Sequence, residues 1–482
     1  MLDFFPPELI FAGTVLVVVA AVVAAVHAAL YKEEVRAAIG WVAVIVLVPL
    51  VGSFLYYLIG INRIRRRAVA LRRERERTML PLAPGWLRPA DVERLLDGNS
   101  DAAALARLVE KVTGNPLLDG NRVRPLENGD EAYPALLDSI ARAEKTVTLL
   151  TYIFDNDPWG RRFVDALAAA VARGVQVRVL IDDVGARYSR PPVSRLLRKR
   201  GVPVALFLPR FSTLLPSFNL RNHRKVMVVD GRIGFTGGMN IRESFVLSEK
   251  PRYPGMDLHF RVEGPVVRHL QDIFAEDWEF ATGESLWGED WFPRLDPVGR
   301  SLARAVADGP DDDLDVLVFT LLGALSSAQR SIRIVTPYFL PDLAVIQALN
   351  TAALRGVEVD IVLPVKGNLP LVTWAMWGQI VHVLRHGCRV WLTPGTPFDH
   401  AKVTVMDDYW VLFGSTNWDP RSFRLNFELN VECYDRELAR RMNELVRERI
   451  ARARRLTLAE MEERSFLLRI RDGAARLLTP YL

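Results

Sequence analysis

The sequence predicts an α/β protein in which two homologous sandwich domains, related by a pseudo-twofold axis, follow an N-terminal hairpin of two transmembrane helices. Three observations predict this architecture. Two long runs without charged residues open the chain, a strand–helix–strand plan occurs twice in the remainder, and the same pattern of polar residues follows each copy. With 482 residues, half of them hydrophobic, the chain is long enough for several domains with large cores.

The apolar runs at the N-terminus cover residues 9–30 and 37–61 and contain no Asp, Glu, Lys or Arg. Each is long enough to cross a bilayer, which takes about 20 residues. Pro49 and Gly52 interrupt the second run, as spanning helices tolerate. A signal peptide followed by a core helix is the alternative, but no basic region precedes the first run, which is also longer than a signal-peptide core. We therefore expect a transmembrane hairpin within residues 1–65.

Basic charge is concentrated directly after the second run. Eight arginines and two glutamates lie between residues 63 and 77, whereas the whole chain has a formal net charge of only +5. The positive-inside rule then places the following residues in the cytoplasm, and a hairpin returns the N-terminus to the same side. The arginines would also lie against anionic headgroups. A nuclease is expected to spread basic charge over its catalytic face, so a nucleic-acid partner is not expected.

A basic segment and a linker helix are expected over residues 66–113, because apolar residues recur at helical spacing from Ala90 to Thr113. This helix either packs on the catalytic body or lies on the bilayer. Beyond it, two stretches share one plan, a buried strand, an amphipathic helix ended by Gly-Val, and a second apolar strand. The copies are 143–154 and 328–339 for the first strand, Gly160–Arg173 and Leu343–Arg355 for the helix, and Val177–Ile181 and Val359–Leu363 for the second strand.

Buried strands that alternate with helices predict a parallel or mixed sheet. We expect one domain over residues 114–305 and a second, with a C-terminal helical tail, over residues 306–482. Two copies of one unit favour packing about a pseudo-twofold axis. Two independent domains with separate sites are the alternative.

The polar residues that follow each copy are the candidate catalytic set. They are His223, Lys225 and Asp230 in the first copy and His400, Lys402 and Asp407 in the second, with Asn240 and Asn417 each seventeen residues after the histidine. In a strand, side chains two apart share a face, so each His and Lys should point into one cavity. A single His/Lys/Asn set has no partner acid, which favours one shared site.

Two histidines suit the chemistry of a phosphodiester. A neutral imidazole attacks phosphorus, and a protonated one donates to the leaving oxygen. The lysines and the two asparagines would neutralise and orient the phosphoryl oxygens. Ser415 would add a donor, whereas Gly238 occupies its place in the first copy.

Each histidine also needs a carboxylate to fix its tautomer. Glu428, 28 residues after His400, is the candidate in the second copy, and Asp257 is its equivalent in the first. Although Asp230 and Asp407 belong to the motif, we expect them to anchor it rather than to react. This chemistry requires no metal ion or organic cofactor.

The duplicated motif resembles the paired HxKxxxxD motif that marks the phospholipase D superfamily. A resemblance to bacterial cardiolipin synthases covers nearly the whole chain, including residues 39–63, 262–267, 419–428 and 475–480. It implies that one phosphatidylglycerol gives its phosphatidyl group to the terminal hydroxyl of another, with release of glycerol. It also implies that His223 holds the phosphatidyl group covalently and that His400 is the acid and base.

The expected partners are therefore phosphatidylglycerol and cardiolipin in a bacterial inner membrane, with the catalytic domains on the cytoplasmic side. Assembly as a homo-oligomer is left open. The alternatives are a phospholipase D-type hydrolase, a nuclease, a phosphatidyltransferase that uses another head-group alcohol, and a non-catalytic membrane scaffold.

Three further residue types carry expectations. Asp399 directly precedes His400 and either raises its pKa or, if the strand alternates strictly, faces away from it. Cys388 and Cys433 lie in apolar strand-like runs and are expected to be buried free thiols. His259 is expected to be a pocket wall, and the remaining histidines are assigned no role in the reaction.

Overall fold

The computed structural model describes residues 6–32, 35–60, 87, 89–96, 98–209, 220–310 and 315–479. The predicted arginine-rich segment at 63–77 and the beginning of the predicted linker lie outside these residues. The described residues form two compact units, an N-terminal unit that ends at residue 60 and a larger unit that begins at residue 87.

The N-terminal unit begins with helix α1, Pro7–Tyr31. At about 1.5 Å per residue this helix is about 37 Å long, which exceeds the roughly 30 Å of a bilayer's hydrocarbon core. Among the described residues it is the one helix with the length and composition of a membrane span, and Phe11–Tyr31 has a mean hydropathy of 2.4. The first predicted span is therefore present as an apolar helix.

The second predicted span is broken in its middle. It forms helix α2, Val35–Leu47, then helix α3, Pro49–Leu55, which continues as a π-helical turn over Tyr56–Gly60. Val48 lies between them with φ −135° and ψ 73°. A proline disfavours helical geometry in the residue before it and has no N–H to continue the helix, so Pro49 accounts for the break.

Helix α3 folds back along α2. A Cβ on Gly52 would lie 2.5 Å from the Val44 carbonyl oxygen, so only glycine allows this close approach. Further along, the Trp41 and Tyr56 rings meet edge to face with centroids 5.3 Å apart. The Tyr56 hydroxyl also lies 2.8 Å from His27 Nδ1, near the end of α1.

These contacts place residue 60 at the same end of the unit as the end of α1. Because α2 is about 20 Å long and α3 with its π-helical turn about 18 Å, neither reaches across a bilayer. The expected hairpin is thus confirmed only in part, as one helix of spanning length followed by two shorter helices that fold back on each other.

The larger unit is an α/β body whose elements follow the predicted plan. Its helices are α4 Pro89–Leu95, α5 Ser100–Thr113, α6 Asn128–Arg142, α7 Pro158–Ala172, α8 Val193–Lys199, α9 Val267–Thr282, α10 Val316–Ser327, α11 Leu343–Leu354, α12 Pro370–Leu384, α13 Pro420–Arg424, α14 Arg436–Ala451, α15 Leu458–Glu462 and α16 Phe466–Leu477. Its strands are β1 Leu118–Glu127, β2 Thr146–Thr151, β3 Gln176–Asp182, β4 Val204–Phe207, β5 Arg221–Asn222, β6 Val226–Val229, β7 Ile233–Gly237, β8 Gly255–Met256, β9 Leu258–Glu263, β10 Ser301–Asp308, β11 Ser331–Val335, β12 Glu358–Pro364, β13 Arg389–Thr393, β14 Phe398–Asp399, β15 Val403–Met406, β16 Trp410–Gly414, β17 Asn426–Tyr434 and β18 Arg454–Leu456.

The repeated helices end where the Gly-Val pairs predicted. Gly174 and Gly356 follow α7 and α11 with φ of 90° and 92°, a conformation that favours glycine after a helix. The strands on either side of these helices are buried, and β2 and β11 are buried along their whole length.

The order of strands across the main sheet is palindromic. It runs β18-β13-β12-β11-β15-β16-β17-β10-β1-β9-β7-β6-β2-β3-β4. The two halves meet where β1 and β10 pair in antiparallel orientation, and each half gives the same succession outward from there, with β18 added at one edge. Strands β2, β3 and β4 are parallel, as are β11, β12 and β13. The predicted mixed sheet and its duplication are therefore confirmed.

Two elements near the expected boundaries can now be placed. The expected domain boundary between residues 305 and 306 falls inside β10, which is the counterpart of β1 and so belongs wholly to the second half. Helix α5 packs on the catalytic body, because Leu105 and Val109 share a buried cluster with Leu321 of α10. Cys388 and Cys433 are buried free thiols, as predicted.

Two short strand pairs link the halves next to the motif residues. In one, β5 of the first half runs parallel to the start of β17, which pairs Asn222 with Phe427. In the other, β14 of the second half runs parallel to β8, which pairs Asp399 with Met256. The residue that follows β5 is His223, and the residue that follows β14 is His400.

Candidate active site

The backbone of each motif histidine is held by the opposite half. The His223 N–H donates to the Phe427 carbonyl at 2.9 Å, and the His400 N–H donates to the Met256 carbonyl at 2.8 Å. Phe427 and Met256 directly precede Glu428 and Asp257 in the chain. Each histidine therefore lies beside the carboxylate of the other half.

The imidazole contacts follow this exchange. His223 Nδ1 lies 3.0 and 3.1 Å from the two carboxylate oxygens of Glu428. His400 Nδ1 lies 2.8 Å from Asp257 Oδ2. The expectation that each carboxylate serves the histidine of its own half is wrong, because the inter-half strand pairs bring the opposite carboxylate into reach. The two carboxylates therefore contact the imidazoles, which places them behind the histidines.

Opposing charges tune both pairs. Burial would raise the pKa of the Glu428 carboxyl, but His223 and Lys225 outweigh burial and hold it below its usual value. Asp257 is likewise held below its usual pKa by Lys402 and His400, against the effect of burial. Both acids are therefore carboxylates at neutral pH and can accept the Nδ1 protons.

The histidine pKa values are lowered. Burial lowers the pKa of His223 despite Glu428, and Lys225 and Lys402 lower it further. Burial and Lys402 lower the pKa of His400 to about 4, and Lys225 contributes too. Each lysine acts on the histidine of the other half as well as on its own, which is expected if all four groups share one cleft.

The two lysines lie against their histidines. Lys225 Nζ donates to the His223 carbonyl at 2.5 Å, and Lys402 Nζ lies 2.9 Å from His400 Nδ1. Burial lowers the pKa of Lys225 to about 7 and that of Lys402 to about 8, against the attraction of the nearby carboxylates. The cleft thus holds two cations that are close to losing their protons.

The two asparagines are both buried. Asn240 Oδ1 accepts from the Ile153 N–H at 3.0 Å, and the residue lines the same cleft as His400. Asn417 Oδ1 is buried and has no hydrogen-bond partner among the described residues. A buried amide without a protein partner is costly unless a ligand satisfies it.

Ser415 holds a carboxylate rather than facing the cleft. Its hydroxyl donates to Glu428 Oε2 and accepts from the Leu429 N–H at 3.0 Å. A hydroxyl has one proton, so the expected donor to a phosphoryl oxygen is not supported. Gly238 takes the equivalent place because a Cβ there would lie 2.5 Å from Asp257 Oδ1.

Asp230 and Asp407 act at the far ends of the motif strands. Asp230 Oδ1 accepts from the N–H groups of Lys145 and Thr146 at 2.7 and 2.9 Å, where β2 begins. Asp407 Oδ1 accepts from the equivalent amides of Arg330 and Ser331 at 2.7 and 2.8 Å. Seven residues of extended chain, about 20 Å, separate each aspartate from its histidine. Both aspartates therefore contact the start of a neighbouring strand, the arrangement expected of residues that anchor the motif.

Asp399 faces away from His400. Its Oδ2 forms a buried ion pair with Arg449 Nε at 2.9 Å. His259 lines a small cavity beside Lys225 and Asn240, as expected of a pocket wall. Burial lowers its pKa to about 4.

The sequence did not identify the residues that brace the first histidine. Arg224, between the motif His and Lys, forms a buried ion pair with Asp277 at 2.8 Å and donates from Nε to the Glu428 carbonyl at 3.0 Å. The Tyr152 ring meets the His223 ring edge to face with centroids 5.1 Å apart. Arg224 stands between two polar motif residues, so the sequence did not distinguish it, and its partner Asp277 lies more than 50 residues away.

A cleft of about 730 Å³ leads to the site between the two halves. Asn240 and His400 lie at its floor, Asp155 and Arg242 form an ion pair in its wall, and Tyr253 lies at its exposed rim. A phosphodiester with a glycerol head group is small relative to this volume.

Comparison with known proteins is consistent with this geometry. A family model described as the PLD-like domain of cardiolipin synthase matches residues 136–278 and 321–450, one match in each half. A second model, the N-terminal region of phospholipase D-nuclease proteins, matches residues 19–60.

Full-length relatives are also similar. The chain is 32% identical to the major cardiolipin synthase of Bacillus subtilis over 461 residues, which is 94% of this chain and 95% of that protein. It is 31% identical to a cardiolipin synthase of Staphylococcus aureus over 92% of this chain and 90% of that protein. The crystal structure of a phosphatidylserine synthase from Haemophilus influenzae shares the fold, with a TM-score of 0.59 and 15% identity over 79% of this chain and all of that one.

Proposed function

The chain belongs to the cardiolipin synthase family of phospholipase D-like proteins, and we propose that its cleft transfers a phosphatidyl group between two phosphatidylglycerol molecules. The observation that carries the proposal is the exchange of carboxylates, with His223 on Glu428 and His400 on Asp257. It supports a single phosphorus held between two imidazoles, one from each half.

In the first step His223 Nε2 attacks the phosphorus of the donor lipid. Glu428 accepts a hydrogen bond from the Nδ1–H group, which keeps the proton on Nδ1 and the lone pair on Nε2. The phosphorus–nitrogen bond forms, the bond to the glycerol head group breaks, and His400 gives its Nε2 proton to the leaving oxygen. The products are a phosphatidyl-histidine and free glycerol.

In the second step the terminal hydroxyl of another phosphatidylglycerol is the nucleophile. His400, now neutral, takes its proton, the new phosphorus–oxygen bond forms and the bond to His223 breaks. Cardiolipin leaves, and both histidines return to their starting states. One phosphodiester replaces another, so no activated donor is required.

The lysines and asparagines support both steps by binding the non-bridging oxygens. Lys225, Lys402, Asn240 and Asn417 are the residues we assign to this role, because charge on those oxygens grows in the transition state. We assign no role in bond making to Asp230, Asp407 or Ser415.

A test compares transfer with hydrolysis. The purified full chain is mixed with phosphatidylglycerol vesicles, and the products are separated by chromatography and mass spectrometry. Free glycerol with a four-chain lipid is the expected result, and phosphatidic acid as the sole lipid product would assign the site to a hydrolase. His223→Ala and His400→Ala should each abolish turnover.

For the placement in the membrane, we infer that the chain after residue 60 continues on the cytoplasmic side, because of the arginines between 63 and 77. Helices α2 and α3 form a re-entrant pair, so residue 60 lies on the same side of the membrane as the C-terminal end of α1. The N-terminus then lies on the opposite face, not on the same face as a two-span hairpin requires.

A further inference from the structure

Helix α16, near the C-terminus, presents an apolar face to solvent. Phe466, Leu467, Ile470 and Leu477 are 73%, 76%, 52% and 80% exposed. At 100° per residue these four side chains fall within an arc of about 100°. Isolated exposed apolar residues are common on protein surfaces, whereas a contiguous stripe of them marks a binding surface.

The opposite face of α16 is fixed to the catalytic body. Asp472 and Ala475 are each 3% exposed, and Asp472 forms ion pairs with Arg464 and Arg471 at 2.6 and 2.7 Å. The Arg471 guanidinium lies over the Trp374 ring of α12 at 4.8 Å. These contacts fix the rotation of α16 about its own axis. The apolar stripe on its opposite face is therefore held towards solvent.

Arginines border the stripe on both sides. On the same helical projection, Arg471 lies beyond one edge, and Arg469 and Arg476 lie beyond the other. Arg471 pairs with Asp472, and Arg476 contacts His382 of the body. The exposed Arg469 is therefore the side chain placed to bury its stem in the headgroup layer and pair with an anionic lipid. A second copy of the chain would instead set arginines against arginines, so the charges favour a lipid surface.

The stripe lies level with the mouth of the cleft. Arg471 contacts Trp374, and Arg476 Nη1 lies 2.6 Å from His382 Nε2, so α12 and α16 run parallel. Leu467 is therefore level with the first turn of α12, where Leu371 is 44% exposed. The residues just before this turn, Lys366 to Asn368, line the cleft.

We propose that α16 lies in the headgroup layer of an anionic membrane, with Phe466, Leu467, Ile470 and Leu477 in contact with acyl chains. It holds the mouth of the cleft at the lipid surface, in addition to the N-terminal segment. The docking itself is independent of the reaction, and only its effect on turnover rests on the proposed function.

The first experiment measures contact with lipid. Leu467→Cys in the full chain is labelled with an environment-sensitive fluorophore, since both native cysteines are buried. The protein is reconstituted in phosphatidylcholine vesicles with or without phosphatidylserine. We expect a blue shift and quenching by doxyl-labelled lipids in the anionic vesicles. The matched control, Leu354→Cys at the end of α11, is 71% exposed and should stay in a water-like environment.

Two results would overturn the proposal. One is a water-like spectrum at position 467 in anionic vesicles. The other is a blue shift that grows with protein density and resists the lipid quenchers, which would assign the stripe to a second copy. Neither result depends on turnover, so a failure of docking and a failure of the proposed function are distinguishable.

The second experiment replaces Phe466, Leu467 and Ile470 by serine. The apparent KM for phosphatidylglycerol vesicles should rise about tenfold while kcat stays near that of the parent. Activity on a short-chain, water-soluble phosphatidylglycerol should not change, and neither should Tm, because the three side chains are exposed. Equal losses on vesicles and on the soluble substrate, or unchanged vesicle kinetics, would contradict the proposal.

Discussion

At the scale of single residues, the exchange of carboxylates couples the two halves through their imidazoles. His223 depends on Glu428 of the second half, and His400 depends on Asp257 of the first. Neither half therefore holds a complete histidine–carboxylate pair of its own. This dependence predicts different defects for the two acids.

Glu428→Gln should impair attack on phosphorus, whereas Asp257→Asn should impair proton transfer to the leaving group. The measurement is single-turnover release of p-nitrophenol from a phosphatidyl p-nitrophenyl ester, whose leaving group needs no proton. Asp257→Asn should release it at nearly the parent rate, whereas Glu428→Gln should be slower by about 100-fold. Equal defects in the two variants would contradict the assigned roles.

The lowered pKa values predict that substrate binding draws protons into the cleft. At pH 7.5 His400, with a pKa of about 4, is neutral, and Lys225 and Lys402, with pKa values of about 7 and 8, are partly neutral. A phosphodiester anion raises all three pKa values, so binding at this pH takes up protons, at most about two per cleft if all three groups become fully protonated.

Calorimetry in buffers of different ionisation enthalpy measures this uptake. The inactive His223→Ala variant is titrated with glycerophosphoglycerol, and a Lys402→Met version should take up less. Proton release, or a binding enthalpy that is the same in every buffer, would contradict the prediction.

The residues of the site were predictable from sequence, but their pairing was not. The sequence repeats one spacing of histidine and lysine. That repeat identifies His223, Lys225, His400 and Lys402 without knowledge of the fold. The partner of each imidazole depends on the two short strand pairs between the halves, and neither β5 nor β14 is long enough to give a periodic signal.

At the scale of secondary-structure elements, Asp230 and Asp407 join the end of each motif strand to the start of a neighbouring strand. Both have positive φ, 52° and 50°, which Asp and Asn tolerate better than most residues. Asp407→Ala should lower the free energy of unfolding by about 1–3 kcal/mol, because three backbone amides lose their acceptor.

Asp407→Asn is the matched control, since it keeps one acceptor oxygen and tolerates the same backbone. Chemical denaturation should show a smaller loss for Asn than for Ala, and the folded fraction of either variant should keep its kcat. A loss of kcat with unchanged stability would instead place Asp407 in the reaction.

Element boundaries were predicted best where local chemistry fixes them. The glycines at 174 and 356 mark the ends of α7 and α11 within two residues of the expected positions. The second apolar run shows the opposite case. Its apolar composition predicted a single membrane-spanning helix. In the structure Pro49 breaks the helix, and Gly52 permits α2 and α3 to pack closely against each other.

At the scale of the whole molecule, the re-entrant pair makes a prediction about topology. Leu2→Cys and Lys32→Cys variants in right-side-out membrane vesicles are treated with a membrane-impermeant maleimide; the native cysteines are buried and do not interfere. The N-terminal cysteine should react and the one at 32 should not, because α1 separates them. Reaction at position 32 and not at position 2 would restore the two-span hairpin, in which the loop between the spans lies outside.

The duplication of the body was legible in the sequence because each half repeats the same succession of strands and helices. The boundary between the two halves could not be read from the sequence, because β1 and β10 precede the repeated stretches and pair with each other at the centre of the sheet. Their sequences differ, and only the palindromic strand order identifies them as counterparts.

The central claim is that one phosphorus is passed between the two histidines, with His223 as its covalent carrier. The most direct measurement is peptide mass spectrometry of the His400→Ala protein after a brief reaction with the phosphatidyl p-nitrophenyl ester. The account predicts a phosphatidyl group on His223, which cannot be removed efficiently without His400. A protein that carries the label at another residue, or a His223→Ala protein that still becomes labelled and turns over, would contradict it.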